Sequence, residues 1–388
     1  MLSFSQLLLI TYMVLMLIVP NFILSLIIIL PVIFIKHLGV KKKIKKRTLI
    51  FTGLSLILLA YLLLINFSYP QIMLESNLTM LLIFTTSYLL VFILLEKEDS
   101  EKKIQMFKEV LFYLGSLLAV YGVFIYFFGT TSGTYQVFKL GPINLKQSIM
   151  GQEPLLRITS LTKNPNSLAM ILNFSILSGL SLIKTNKSLK LKVLLIIQVI
   201  ALILTYSKTG IIVTIILMLL VVYSSNLRRL TKIIIYLVLL TIVIISSNKI
   251  DQLDTNRFDV DLNNREVAWK IAEEKVINNP FQPIGFPNSG YYLEELNDID
   301  NKMHNSYIML ALEIGLIPTL ILYSTWIILI INLLINQKNK KNTYLILMNV
   351  ILLIQQLTEA KMFRYDLVHF IGISIITFSV LMLYRKEE

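Results

Sequence analysis

Cysteine is missing from this 388-residue chain. Disulfides, thiolate metal sites and cysteine nucleophiles are therefore excluded. Charge is scarce as well: charged residues make up 15% of the chain against 56% hydrophobic ones, where a soluble domain carries about 25% charge. The chain has three histidines and two tryptophans, and it contains no G-x-x-x-x-G-K-[ST], H-E-x-x-H or G-x-G-x-x-G. Phosphate-loop, zincin and dinucleotide chemistry thus have no motif to rest on. The N-terminus lacks a basic n-region and an A-x-A site, so the first apolar block is expected to stay in place. Long polar runs are missing too, with one exception, Asn248 to His304.

What remains is apolar. Mean hydropathy is +0.74. Apolar blocks of about 15–25 residues recur, long enough to cross a bilayer core of about 30 Å at 1.5 Å per residue. The pattern predicts an all-α polytopic membrane protein with spans near residues 4–19, 22–35, 48–67, 73–95, 108–128, 167–183, 191–206, 210–225, 232–247, 306–334, 344–358 and 367–384. That is twelve spans, or eleven if residues 4–35 form one span kinked at Pro20. We expect a single membrane domain over residues 1–388, with the polar run at 248–304 as an extracytoplasmic subdomain.

The net charge of +13 reads as a topology signal and not as a nucleic-acid surface. Basic residues crowd alternate short loops: Lys36 to Arg47, Lys97 to Lys108, Lys184 to Lys192, Arg228 to Lys232, Lys338 to Lys341, and Arg385 with Lys386. The positive-inside rule puts these loops and both termini in the cytoplasm. The large loop then faces outward, with eleven acidic residues against six basic ones (Lys249, Arg257, Arg265, Lys270, Lys275, Lys302). Within it, Arg265 to Asn278 is predicted to form a short amphipathic helix. Asn263 or Asn264 would cap it, Ala268, Ala272 and Val276 form its apolar stripe, and Asn278-Asn279-Pro280 stops it.

The charges outside the basic loops gather on the outward side: Arg157, Lys208, Arg265, His304, Glu75, Glu313, Glu359 and Asp366. Ionisable residues within membrane segments are costly and point to function. Glu313, nine residues past His304 in an apolar run, is therefore either functional or half of an ion pair inside the bundle. His304 can take a proton from a hydroxyl near neutrality; alternatively it is a helix-start histidine, with Asn305 as the cap. Arginine pairs bidentately with phosphate oxygens, which fits Arg157 and Arg265. Their structural alternatives are an interfacial arginine and a cation–π contact with Trp269. Asp298-Ile-Asp300 is too short a match to define a metal site, and Lys208-Thr209-Gly210 lacks the serine motifs of a penicillin-binding site.

Three stretches together resemble the O-antigen polymerase/ligase family of bacterial membrane glycosyltransferases. The first is Arg157-Ile-Thr-Ser-Leu-Thr-Lys-Asn-Pro-Asn-Ser-Leu-Ala169. The second is Asn264-Arg265-Glu-Val-Ala-Trp269 with Asn279-Pro280-Phe-Gln-Pro-Ile-Gly285. The third is His304-Asn305-Ser-Tyr307 with Glu313-Ile-Gly315. Their order around the longest loop carries the likeness, over roughly residues 150–330. Two features depart from the family's pattern. Ser207-Lys208 stands where the family often has Ser-Arg, keeping the charge but losing the fork, and Phe286-Pro287 replaces a second glycine after Gly285.

The resemblance implies a reaction at the outer face of the bacterial plasma membrane. The donor would be a glycan on undecaprenyl pyrophosphate and the acceptor a sugar hydroxyl on a second lipid-linked glycan. His304 would be the base, with Glu313 second, and Arg157, Lys208 and Arg265 would hold the pyrophosphate. No cofactor, metal or nucleotide is implied. A flippase and a chain-length regulator are the expected protein partners, with membrane lipid as the surround. A ligase that moves the finished glycan to another acceptor is the nearest alternative. A glycolipid transporter is the next, although no internal repeat of the kind many transporters show is visible.

Overall fold

The computed structural model describes residues 60–65, 77, 100–140, 143–150, 156–162, 164–186, 188–223, 255–297, 303–336, 343–360, 362–364 and 366–384. The spans expected at 4–19, 22–35 and 232–247 lie outside the described residues, as do Glu75 and most of 48–67 and 73–95. Contacts divide the described residues into two units. One takes those of Asp99–Asn263 and Asn339–Gln355, the other those of Met1–Glu98, Asn264–Lys338 and Gln356–Glu388.

In the first unit, α1 (Ser100–Phe128) leads into a four-stranded antiparallel sheet in the order β1-β2-β3-β4: Thr130–Ser132, Tyr135–Leu140, Ile143–Met150 and Arg157–Ile158. Four helices complete the unit: α2 (Pro165–Thr185), α3 (Leu189–Leu204), α4 (Lys208–Tyr223) and, later in the chain, a helix at Thr343–Gln355. The sheet corrects the all-helical expectation, because these four strands form between the spans expected at 108–128 and 167–183. Tyr135, Val137 and Phe138 before Gly141-Pro142, and Ile143 and Ile149 after it, are residue types that favour strands. Register is direct, with Leu140 opposite Ile143 and Ile149 opposite Ile158.

The helices of this unit pack closely through small residues. Gly115 faces the Ser175 side chain and Gly179 faces the Phe112 ring, each so near that a Cβ has no room. Polar side chains then bridge the helices, as expected where lipid removes the hydrophobic drive for association. Gln198 donates through Nε2 to Ser116 Oγ at 2.7 Å and to the Phe112 carbonyl at 3.1 Å, and Ser175 Oγ donates to Gln198 Oε1 at 2.9 Å. All three side chains are buried. An unpaired polar group there costs about 1–3 kcal/mol, so these bonds fix the helix register.

The second unit holds α5 from Asn264 onward (the whole helix spans Thr255–Asn278), α6 (Ser289–Asn297), α7 (Ser306–Ile314), α8 (Leu316–Ile335) and, after α9 (the Thr343–Gln355 helix of the first unit), α10 (Leu367–Tyr384). The amphipathic helix therefore starts ten residues before Arg265, and Asn263 and Asn264 sit inside it. Asparagine costs at most about 0.7 kcal/mol in a helix interior, too little to force a start there. Its end at Asn278 and its stripe match the expectation: Ala268 and Ala272 are buried and Val276 is half-buried.

A second correction concerns the span expected at 306–334, which is two helices broken at Gly315. That residue has φ 94° and ψ 157°, a region essentially restricted to glycine. Three of the last four carbonyls of α7 find donors: Ala311 from Gly315 N, Leu312 from Ile284 N, and Ile314 from the Tyr61 hydroxyl at 2.6 Å. Pro318 falls in the first turn of α8, where its missing N–H removes nothing.

Among the described residues, three helices are long and apolar enough to cross a membrane: Glu101–Phe128, Pro165–Lys184 and Leu316–Ile335. Lys208–Leu219, Thr343–Gln355 and Leu367–Leu383 are apolar but shorter. The molecule is thus mostly helical.

Candidate functional site

Arg157 is presented by β4, opposite Met150 of β3. Its Nε donates to the Thr205 carbonyl at 2.8 Å and its Nη2 to Asn166 Oδ1 at 2.7 Å. The Asn-Pro-Asn triplet therefore divides its labour. Asn164 caps α2, accepting from Asn166 N and Ser167 N; Pro165 takes the first helical position; Asn166 orients the arginine. The same guanidinium ties β4 to the turn before α4. In that turn Ser207 N donates to Thr205 Oγ1, Ile211 N donates to the Ser207 carbonyl, and Ser207 Oγ accepts from Gly210 N at 3.4 Å. Ser207 is thus the N-cap of α4. Half-buried Lys208 heads a helix whose N-terminal amides also carry positive partial charge.

In the other unit, Arg265 lies on α5 one turn before Trp269. The Trp269 indole donates to the Met303 carbonyl at 2.6 Å, fixing α5 against the residue before His304. Asn305 caps α7 as expected, its side chain accepting from Tyr307 N and Ile308 N. His304 stands at φ 46° and its Nδ1 lies 3.4 Å from Glu359 Oε1. The chain's other described histidine, His369, is buried and contacts the Met362 carbonyl through Nδ1.

Glu313 is fully buried and makes three contacts. Arg364 Nη2 reaches Oε1 at 2.6 Å, Arg364 Nη1 reaches Oε2 at 3.4 Å, and the Ser289 amide at the start of α6 donates to Oε1 at 2.9 Å. Arg364 Nη2 also donates to Ser289 Oγ at 2.8 Å, and the guanidinium lies 5.8 Å from the Phe286 ring centre. Asp366 caps α10 through Val368 N and His369 N. The segment 356–366 thus supplies Glu359 to His304 and Arg364 to Glu313.

Of the sequence-predicted residues, Arg157 and Lys208 fall in one unit and Arg265, His304 and Glu313 in the other. Sequence reasoning missed Arg364. It is a basic residue in a loop the positive-inside rule puts outward, and a buried Glu313 demands a cation; those two signals would have found it.

Among the described residues the non-glycine positions at positive φ are Ser160, Tyr206 and His304. Each is a candidate or lies within three residues of one, namely Arg157, Lys208 and His304 itself. Such backbone costs about 1–3 kcal/mol and persists where surrounding bonds over-determine it. Ser160 is held by Oγ donation to the Leu118 carbonyl at 2.8 Å and by its own amide donating to Gln147 Oε1 at 3.2 Å. No group of three or more metal-ligating side chains occurs among the described residues.

No curated protein matches the chain. Residues 193–324 match the family model described as O-antigen ligase. That stretch contains Lys208, Arg265, His304 and Glu313, and over it the chain is similar to the O-antigen polymerase/ligase family that its motifs resemble.

Proposed function

We propose that the protein is a membrane glycosyltransferase that joins undecaprenyl-pyrophosphate-linked repeat units into a surface polysaccharide, such as a capsule or exopolysaccharide, at the outer face of the bacterial plasma membrane. The observation that carries this reading is the family match, which runs from within α3 to within α8 and takes in Lys208, Arg265, His304 and Glu313. In the reaction an acceptor sugar hydroxyl attacks the anomeric carbon of the donor. The carbon–oxygen bond to pyrophosphate breaks and its electron pair leaves with the pyrophosphate. His304 takes the hydroxyl proton. To Arg157, Lys208 and Arg265 we assign the pyrophosphate, whose charge grows as it departs. Glu313, already engaged by Arg364 and Ser289, serves as an anchor for the loop in this scheme, leaving proton transfer to His304. The large loop faces outward and both termini are cytoplasmic, with a flippase and a chain-length regulator as partners.

The description of the matching model favours a second reading, a ligase that delivers a finished glycan to another acceptor. One experiment addresses both. In cells making the polymer, His304→Ala is expected to abolish the polymer ladder while single lipid-linked repeats persist. Full-length polymer in that variant removes His304 from the reaction. A ladder that survives on the carrier lipid but fails to reach its final acceptor identifies the ligase.

A further inference from the structure

His304 is held unusually firmly for a residue at the junction of a loop and a helix. On one side, the Met303 carbonyl accepts from Trp269. On the other, Asn305 is locked as the cap of α7. The next residue is bonded twice to one segment of chain: Ser306 N donates to the Gln356 carbonyl at 2.9 Å and Ser306 Oγ to the Glu359 carbonyl at 3.0 Å. These bonds maintain the left-handed backbone of His304 and set the register of residues 356–359 against it. The register brings the Glu359 carboxylate, with 5% of its side chain exposed, to 3.4 Å from Nδ1 of an imidazole whose side chain is 16% exposed. Tyr323 also donates to Gln356 Oε1 at 3.1 Å, and its ring lies 4.3 Å from that of Tyr307 at a tilt of 30°, so the same segment is held at a third point.

We infer that Glu359 is the positioning residue of His304: its carboxylate holds the proton on Nδ1 and leaves Nε2 as the atom that accepts the acceptor sugar's proton. Which imidazole nitrogen carries the proton is set by the partner of the other. A carboxylate buried beside the ring fixes that choice, and it stabilises the imidazolium formed once Nε2 has taken the hydroxyl proton. The 3.4 Å separation is long for a hydrogen bond, as such contacts often are before substrate is bound. The inference rests on the proposed role of His304 and adds to it a residue outside the family-matched stretch.

Two measurements on the full chain test it. The first reads the ring directly, by 15N spectra of histidine-labelled protein in liposomes at about pH 8, where an ordinary imidazole is neutral. Only three histidines contribute, and His304→Gln identifies the resonance. The expected result is a protonated Nδ1 in the wild-type chain and a changed tautomer in Glu359→Gln. A bare wild-type Nδ1, or identical spectra, overturns the inference whatever the protein's reaction proves to be.

The second measurement is kinetic, with purified lipid-linked repeats. Glu359→Gln is expected to lower kcat about 30-fold, less than the 10²–10⁴-fold that a positioned base itself supplies, and to leave KM for the donor unchanged. Glu359→Asp should fall between wild type and Glu359→Gln. In a His304→Ala background Glu359→Gln should cost nothing further, because a residue acting through another has no separate effect. An equal loss in both backgrounds overturns the inference. A wild-type chain that transfers no glycan overturns the proposed function instead, and the spectra still decide the pairing. Thermal unfolding of each variant separates misfolding from either outcome.

Discussion

Arg364 and Glu313 meet at 2.6 Å across 51 residues of chain, and the pair joins three elements. Glu313 belongs to α7, Arg364 to the connection before α10, and their shared partner Ser289 opens α6. Removing one member of a buried pair costs about 3–5 kcal/mol because the other is left uncompensated, whereas apolar replacement of both is often neutral. Arg364→Ala should therefore destabilise strongly, by an amount of that order. Glu313→Leu combined with Arg364→Leu should recover most of the loss. Thermal unfolding in detergent checks this; a double variant as unstable as the sum of the two singles would show that the two side chains do not act as a pair.

Gly315 offers a test of the break between α7 and α8. A Cβ there has space, its nearest neighbours being 3.7 Å away, so Gly315→Ala isolates the backbone cost. With φ at 94° and ψ at 157°, that cost is about 1–3 kcal/mol. A melting temperature equal to wild type would mean that the chain runs through this point as one continuous helix.

These elements differ in how legible they are in the sequence. Asn305 as a cap and Pro280 as a stop follow from local chemistry, which depends on residues within a turn of one another. Helix positions are legible for the same reason: the spans expected at 167–183 and 367–384 match helices at Pro165–Thr185 and Leu367–Tyr384. The break at Gly315 was not legible, because an apolar run with one glycine reads as continuous and the conformation of that glycine is set by donors from Tyr61 and Ile284, far away in the chain. Arg364 escaped for a related reason. A lone basic residue in a short loop looks solvated until the buried carboxylate it serves is known. The small sheet escaped because its strands are short and the apolar helices around it dominate any measure of composition. For the candidate residues, the sequence identifies which side chains carry charge in the expected outward segments. The bonds that orient them, Asn166 on Arg157 and Glu359 beside His304, come from pairing that no local pattern encodes.

Asn166 links that distinction to activity. It accepts one of the bonds that aim the Arg157 guanidinium, and the Thr205 carbonyl accepts another. Under the proposed function, Arg157→Ala removes the charge and Asn166→Ala only loosens it. Polymer yield should fall about 10²-fold or more in the first case, as when a preorganised donor is lost, and about 10-fold in the second. Arg157→Lys should remain impaired, because lysine lacks the fork that serves both acceptors at once. If Arg157→Lys is fully active, the orientation described by these bonds has no part in the reaction.

The sidedness of the chain can be tested without reference to any reaction. Because no cysteine is present, a single introduced thiol reports its own location. Glu295 on α6 and Lys190 on α3 are both exposed, and the proposed topology, which follows the positive-inside rule, predicts them on opposite sides of the membrane. In intact cells Glu295→Cys should react with a membrane-impermeant maleimide, while Lys190→Cys should react only after permeabilisation. The reverse pattern would put the large loop in the cytoplasm, where a donor already flipped outward is out of reach, and the proposed polymerase would lose its substrate. Labelling of both in intact cells would place residues 190 and 295 on the same side and require the span count between them to change by one.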